Sequence, residues 1–274
     1  MFVVVVTLAS GAVRSSPGTP TKVASFRSRA LGETLHFAVS LPPDYADGRR
    51  YPVVYFLHGL PAGPSAYQDV SLAQHALDEV QHEAILIAPQ GASDRDTDPE
   101  YLDWGAGRNW ETALSRELPA YVDRHYRTIA GRGGRAIIGL SAGGYGAMLI
   151  GLHHLGTFSV IESWSGYHQP TDPSGTHILD LGSSAANARA SAHSYVGLLR
   201  KELRTKPTFI GFYVGTGDSR FRADNVRLHQ ELVAAHVPHR FRLYAGGHER
   251  TLWSAHATEW LELALEQLDA PVSP

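Results

Sequence analysis

Three residues of this chain, Ser141, Asp218 and His248, have the types and the order needed for acyl transfer through a serine nucleophile. Ser141 lies in Gly139-Leu140-Ser141-Ala142-Gly143, a G-x-S-x-G turn. A serine hydroxyl is a weak nucleophile until a base takes its proton, and the base needs a third group to fix its tautomer. His248 follows Gly246-Gly247, and Asp218 follows Gly215-Thr216-Gly217. His248 is expected to take the proton from Ser141 and return it to the leaving group. Asp218 is expected to hold the imidazole, with Asp224 and Glu249 as rival acids. The tetrahedral oxyanion needs backbone N–H donors. The amide of Ala142, directly after the nucleophile, is one candidate. The amide of Leu60, in His58-Gly59-Leu60, is the other. His58 reads either as a substrate contact or as a loop histidine packed under the site.

These residues need a scaffold that brings distant positions to one edge. Arg135 to Ile138 reads as a buried strand entering the serine turn, and Tyr145 to Leu152 as a helix leaving it. Gly139 and Gly143 relieve the crowding of so sharp a turn. Tyr51 to Leu57 is a strand that delivers His58-Gly59-Leu60. Phe209 to Val214 ends near Asp218, and Arg240 to Tyr244 ends near His248. All of these sites fall at the carboxyl edge of one sheet, where open α/β folds place their ligands. Elsewhere, Lys22–Arg29 and Thr34–Ser40 read as antiparallel strands, and Ala84–Pro89 and Phe158–Ser163 as buried strands. Ser71–Gln81, Thr112–His125 and Asn225–Val233 read as helices, with Pro119 bending the second or costing it a hydrogen bond. The expected architecture is α/β: a mostly parallel central sheet flanked by helices, with antiparallel N-terminal strands. It forms a single domain over residues 22–270. Residues 167–206 break the rhythm and are expected either to cap the site or to run over the surface.

Several pieces carry a family resemblance. They are Leu41-Pro42-Pro43-Asp44-Tyr45, the Tyr51–Gly59 strand and turn, and Trp104. Trp110-Glu111-Thr112 through Glu117-Leu118-Pro119, the serine turn, Gly217-Asp218, and Gly247-His248 with Trp253 complete the set. From about residue 22 onward the chain resembles the putative-esterase branch of the α/β-hydrolases. That branch holds feruloyl esterases, S-formylglutathione hydrolases, enterochelin esterases and mycolyltransferases. The resemblance implies the α/β-hydrolase fold and a serine carboxylic-ester hydrolase working through an acyl-enzyme on a small-molecule ester. It implies no cofactor. It maps the triad onto Ser141, Asp218 and His248 and the oxyanion donors onto Leu60 and Ala142. An acyltransferase of the mycolyltransferase type would use the same residues, and a catalytically inactive hydrolase-fold binding protein is a third reading. The chain departs from the S-formylglutathione hydrolase pattern in having no cysteine.

Composition narrows the rest. The 274 residues, 43% hydrophobic and 19% charged, suit one globular domain. A net charge of −3 with no basic run leaves no footprint for nucleic acid. The absence of cysteine excludes disulfides and thiolate metal sites. Asp94-Arg95-Asp96-Thr97-Asp98 starts like a calcium loop, but Pro99 and Gly105 stand where glycine and glutamate are required, so no metal is expected. Tyr101, Trp104 and Trp110 read either as an aromatic wall of a substrate pocket, with Trp104 first among them, or as ordinary core, and Trp164 is a further candidate substrate contact. His153, His154, His229 and His236 read as helix-surface residues. The apolar run Phe2–Ala9 is too short to span a membrane. With Ser10-Gly11-Ala12 it resembles the end of a secretory signal, implying a secreted or cell-envelope protein; the alternative is an edge strand of a cytoplasmic one. Oligomeric state is left open.

Overall fold

The computed structural model describes residues 21–98, 100–172 and 174–273. The export signal read at Phe2–Ala12, and Pro99 of the acidic loop, lie outside them. Eight strands form one sheet: β1 Lys22–Arg27, β2 Thr34–Ser40, β3 Val53–Leu57, β4 Ile85–Pro89, β5 Arg135–Leu140, β6 Val160–Trp164, β7 Phe209–Gly215 and β8 Arg240–Tyr244. Their spatial order is β1-β2-β4-β3-β5-β6-β7-β8. β2 pairs antiparallel with β1 and β4, and every other pairing is parallel. The helices are α1 Ser71–Glu79, α2 Trp110–Thr112, α3 Leu118–His125, α4 Ala142–His153, α5 Ser184–Arg189, α6 Val196–Thr205, α7 Arg222–Ala234 and α8 Arg250–Leu265. None among the described residues is long and apolar enough to cross a membrane.

The strand sequences follow from burial on both faces. Val53-Val54-Tyr55-Phe56-Leu57 and Ile85-Leu86-Ile87-Ala88-Pro89 are buried at every position, as a sheet covered on two sides requires. Period-two alternation divides each strand between two cores. Tyr55, Leu57, Ile137 and Ile161 face one core with Met148 and Ile150 of α4. Val54, Phe56, Ile138 and Trp164 face the other, closed by Ala73 and Ala76 of α1 and by Leu252, Trp260 and Leu261 of α8. Helix α8 had not been anticipated. Its signal is the spacing of Leu252, Ala257, Trp260, Leu261 and Ala264, which keeps one stripe on the sheet.

The helix expected over Thr112–His125 runs from Trp110 to His125, with a π-helical turn at Ala113–Glu117. Pro119 lies just beyond that turn and has no N–H to donate, so the widened turn falls where the ladder is already short of a donor. The Glu117 carboxylate accepts the amides of Arg29 and Ala30 at 3.2 Å each, tying this helix to the β1–β2 turn. Because β3, β5, β6, β7 and β8 run the same way, the segments after Leu57, Leu140, Trp164, Gly215 and Tyr244 emerge at one rim.

Candidate active site

Ser141 joins β5 to α4 with φ 57° and ψ −120°, a conformation that a side chain adopts only when its surroundings enforce it. A Cβ on Gly139 would overlap the Gly143 carbonyl, and one on Gly143 would overlap the Leu57 carbonyl. The turn is therefore closed to larger residues at both positions. The Ser141 amide donates to the Trp164 carbonyl at 2.9 Å, which anchors the turn to β6.

The Ser141 hydroxyl lies 2.9 Å from His248 Nε2, and His248 Nδ1 lies 2.9 Å from Asp218 Oδ2. Asp218 is buried, and its Oδ1 accepts the amides of Arg220 and Phe221 at 3.0 and 3.1 Å. Burial pushes its carboxyl up, but the hydrogen bonds from His248 and the two amides outweigh this and hold it below the usual carboxylate range. An ionised Asp218 makes Nδ1 the protonated nitrogen and leaves Nε2 to accept from Ser141. Phe221 and Trp253 pack edge-on to the imidazole at 5.1 Å each. The rival acids are occupied elsewhere. Asp224 accepts the His168 amide at 2.7 Å and His193 Nε2 at 2.9 Å, and Glu249 turns back to the Gly247 amide.

Gly59 brings the β3 loop against Ser141: a Cβ there would stand 2.9 Å from the Leu140 carbonyl oxygen and 3.0 Å from Ser141 Cβ. The amides of Leu60 and Ala142 meet no acceptor among the described residues. Ala142 opens α4, where the first N–H groups have no partner within the helix. Leu60 lines the space beside Ser141.

His58 spends both ring nitrogens on the backbone. Nδ1–H donates to the Gly59 carbonyl at 3.0 Å, and Nε2 accepts the Gly91 amide at 3.1 Å. Burial pushes its pKa down, in keeping with a neutral ring. His58 lines a cavity at Ser141 and at the same time braces the loop carrying Leu60. Tyr101 completes the brace, its hydroxyl donating to the His58 carbonyl at 2.6 Å. Both Glu100 and Tyr101 have positive φ, 49° and 55°, and Tyr101 is buried. The sequence offers Tyr101 as a pocket aromatic or as ordinary core, and no local pattern signals this contact across 43 positions.

Two expected contacts, Trp164 and Trp104, are corrected. Trp164 is fully buried, packs on Phe56 at 5.6 Å and donates Nε1 to Glu162 at 2.8 Å. Strand alternation turns it into the core rather than out at the rim. Trp104 is 38% exposed, lies under the Arg108 guanidinium, and does not line the cavities at Ser141. In the acidic loop, Asp96 receives Arg108 at 2.7 and 2.9 Å and Trp110 Nε1 at 3.0 Å, so its carboxylate serves the protein. No group of metal-ligand side chains occurs among the described residues.

Two cavities meet at Ser141, of about 470 and 320 Å³, with Leu60, Pro61 and Trp253 common to both. Tyr167, Thr171 and Gly175 wall the larger one, so the start of the 167–206 segment borders the site. Its later part does not: Ala192, Val196 and Leu199 join the core on the α4 side of the sheet.

A family model described as Putative esterase matches residues 28–261. Esterase Rv1288 of Mycobacterium tuberculosis is 26% identical over 249 residues, covering 81% of this chain and 54% of the relative. The MPT51/MPB51 antigen of Mycobacterium bovis is 33% identical over 122 residues, covering 43% of this chain and 38% of the relative. The chain thus spans about half the length, 54%, of the first curated relatives it matches. Among solved structures, a ferulic acid esterase superposes with a TM-score of 0.75 at 23% identity, covering 91% of this chain and 99% of the other. An S-formylglutathione hydrolase from Agrobacterium tumefaciens gives 0.72 at 22% identity, covering 93% and 98%. At such identities the likeness is one of fold. The match of the family model takes in the serine turn, Asp218 and His248, and with the sheet order it establishes that this chain belongs to the putative esterase family of the α/β-hydrolase fold.

Proposed function

We propose that this chain hydrolyses carboxylic esters through an acyl-enzyme on Ser141. The observation that carries the reading is the unbroken hydrogen-bonded path from the Ser141 hydroxyl through His248 to Asp218, starting from a strained turn. His248 takes the Ser141 proton as the oxygen attacks the ester carbonyl. The oxyanion settles between the amides of Leu60 and Ala142, each such donor worth about 3 kcal/mol in comparable sites. His248 then protonates the departing alcohol, leaving the acyl group on Ser141. A water enters, gives its proton to His248, and releases the acid. Asp218 stays ionised throughout and stabilises the imidazolium. The two cavities at Ser141 offer separate space for the acyl and alcohol portions.

A fluorophosphonate probe and a panel of p-nitrophenyl esters test this. Labelling and turnover should both vanish in Ser141→Ala, with turnover falling by about 10⁴-fold or more. Labelling that persists in the variant would remove Ser141 as the nucleophile. Product analysis with added alcohols separates hydrolysis from acyl transfer: a new ester as the main product makes the chain an acyltransferase.

A further inference from the structure

The two cavities at Ser141 hold their charges differently. In the smaller one, Arg250 stands 3.8 Å from Asp69 and donates to the Ser71 hydroxyl at 3.0 Å. In the larger one, Arg220 lines the wall, and its guanidinium has neither a carboxylate partner nor a hydrogen-bond acceptor among the described residues.

The larger cavity also contains two acids, Asp98 and Asp172. Asp172 is taken up by its own turn, accepting the Ser174 hydroxyl at 2.8 Å, the Thr176 amide at 3.1 Å and His177 Nδ1 at 3.1 Å. The Ser174 hydroxyl, with His177 and the turn amides, holds its carboxyl below the usual range. Asp98 is half-buried, and burial, aided by the charge of Asp96, pushes its carboxyl up. One acid already has its donors, and neither stands in an ion pair with Arg220 among the described residues.

Arg220 is also held in place. Its amide donates to Asp218 Oδ1, and its guanidinium lies over the Phe221 ring at 5.0 Å. Phe221 in turn packs on His248 at 5.1 Å. A guanidinium set over an aromatic ring spends no N–H group on an acceptor and keeps its donors available for a planar oxyanion. A cation with unused donors is thus fixed one aromatic ring away from the imidazole.

We propose that Arg220 makes this site selective for esters that carry an oxyanion, a carboxylate or a phosphate, on the portion seated in the larger cavity. The proposal rests on the serine-hydrolase reading and names a substrate class for it. A cavity of about 470 Å³ is ample for a small anionic acyl or alcohol group. Arg220 is exposed, so the preference is that of a partly solvated charge-assisted contact, about ten-fold.

Two matched pairs of substrates test it. One is p-nitrophenyl hemisuccinate against the p-nitrophenyl ester of monomethyl succinate, which places the anion on the acyl side. The other is acetylated glycerol phosphate against monoacetylglycerol, which places it on the alcohol side. In the unmodified protein at low salt, at least one anionic member should exceed its neutral partner in kcat/KM by about ten-fold. The pair that responds identifies the portion that enters the larger cavity. In Arg220→Gln that ratio should fall to about one, and in Arg220→Glu it should invert. Salt of about 0.5 M should compress the ratio in the unmodified protein. A ratio near one in the unmodified protein, or one that survives Arg220→Gln, overturns the assignment. Neutral-ester turnover and fluorophosphonate labelling of Ser141, run alongside, show whether the hydrolase reading itself has failed.

Discussion

Around Ser141, backbone meets backbone: Gly139 against Gly143, Gly143 against Leu57, Gly59 against Leu140. The opposite wall, with Thr97, Asp98, Tyr167 and Thr171, is held by side chains reaching across the chain. Tyr101 bonds to the His58 carbonyl 43 positions away, and Tyr167 to Glu100 67 positions away. Asp224 likewise holds the His168 amide and the His193 ring. The first region is set by sterics, which permit almost nothing else. The second is set by individual polar bonds, each of which contributes a finite amount. Ser141 is thus fixed rigidly, while the opposite wall can change residue by residue and keep the fold.

That contrast predicts graded losses. Replacing Asp218 by Ala should lower kcat by about 10³-fold, because the imidazole loses its orienting partner. Asp224→Ala should leave kcat within about three-fold. A larger loss for Asp224 than for Asp218 would dissolve the distinction between the two regions.

The cost of disturbing Asp224 should appear in stability instead. Burial pushes its carboxyl up, but His193 and His168 outweigh this and bring it to about 2. A depressed carboxylate contributes stability above its unfolded value, near 3.9, and loses it as pH falls toward the folded value. The contribution, on the order of 2 kcal/mol, should therefore fade between about pH 4 and pH 2. His193 has the opposite sign. Burial lowers its pKa, but Asp224 and Glu231 more than compensate and raise it. Its contribution is complete below about pH 6.5 and is lost as pH rises through the raised value. Urea titrations across pH should show both slopes, and Asp224→Asn should flatten them. An unchanged profile in the variant would mean that the pair carries no stability.

Tyr101→Phe removes the bond to the His58 carbonyl while keeping the ring. We expect about ten-fold lower kcat with KM within two-fold, because the proposed mechanism calls on the Leu60 amide more in the transition state than in the ground state. A loss confined to KM would place Tyr101 in substrate binding. The smallest effect belongs to Trp104→Ala, which should change kcat and KM by less than about two-fold, since the ring lines neither cavity. A ten-fold rise in KM would restore it as a substrate contact.

The chain order of amino acids was enough to locate Ser141, Asp218 and His248 at strand ends and to foresee the mostly parallel sheet. Those inferences rest on short-range physics: apolar runs for buried strands, glycines where a turn excludes Cβ, and the rule that parallel strands end at one edge. What lay beyond it depended on distant partners. Trp164 turns inward because strand register assigns it the face shared with Phe56. His153 and His154, read as surface residues, both bond to the buried Glu111 carboxylate, at 2.7 and 2.9 Å, together with Arg189. His58 became a brace only once Gly91 and Tyr101 stood beside it. A local motif restricts backbone conformation within a few residues and can be read directly. The partner of a polar side chain forty positions away is chosen by packing, and only the folded chain contains that information.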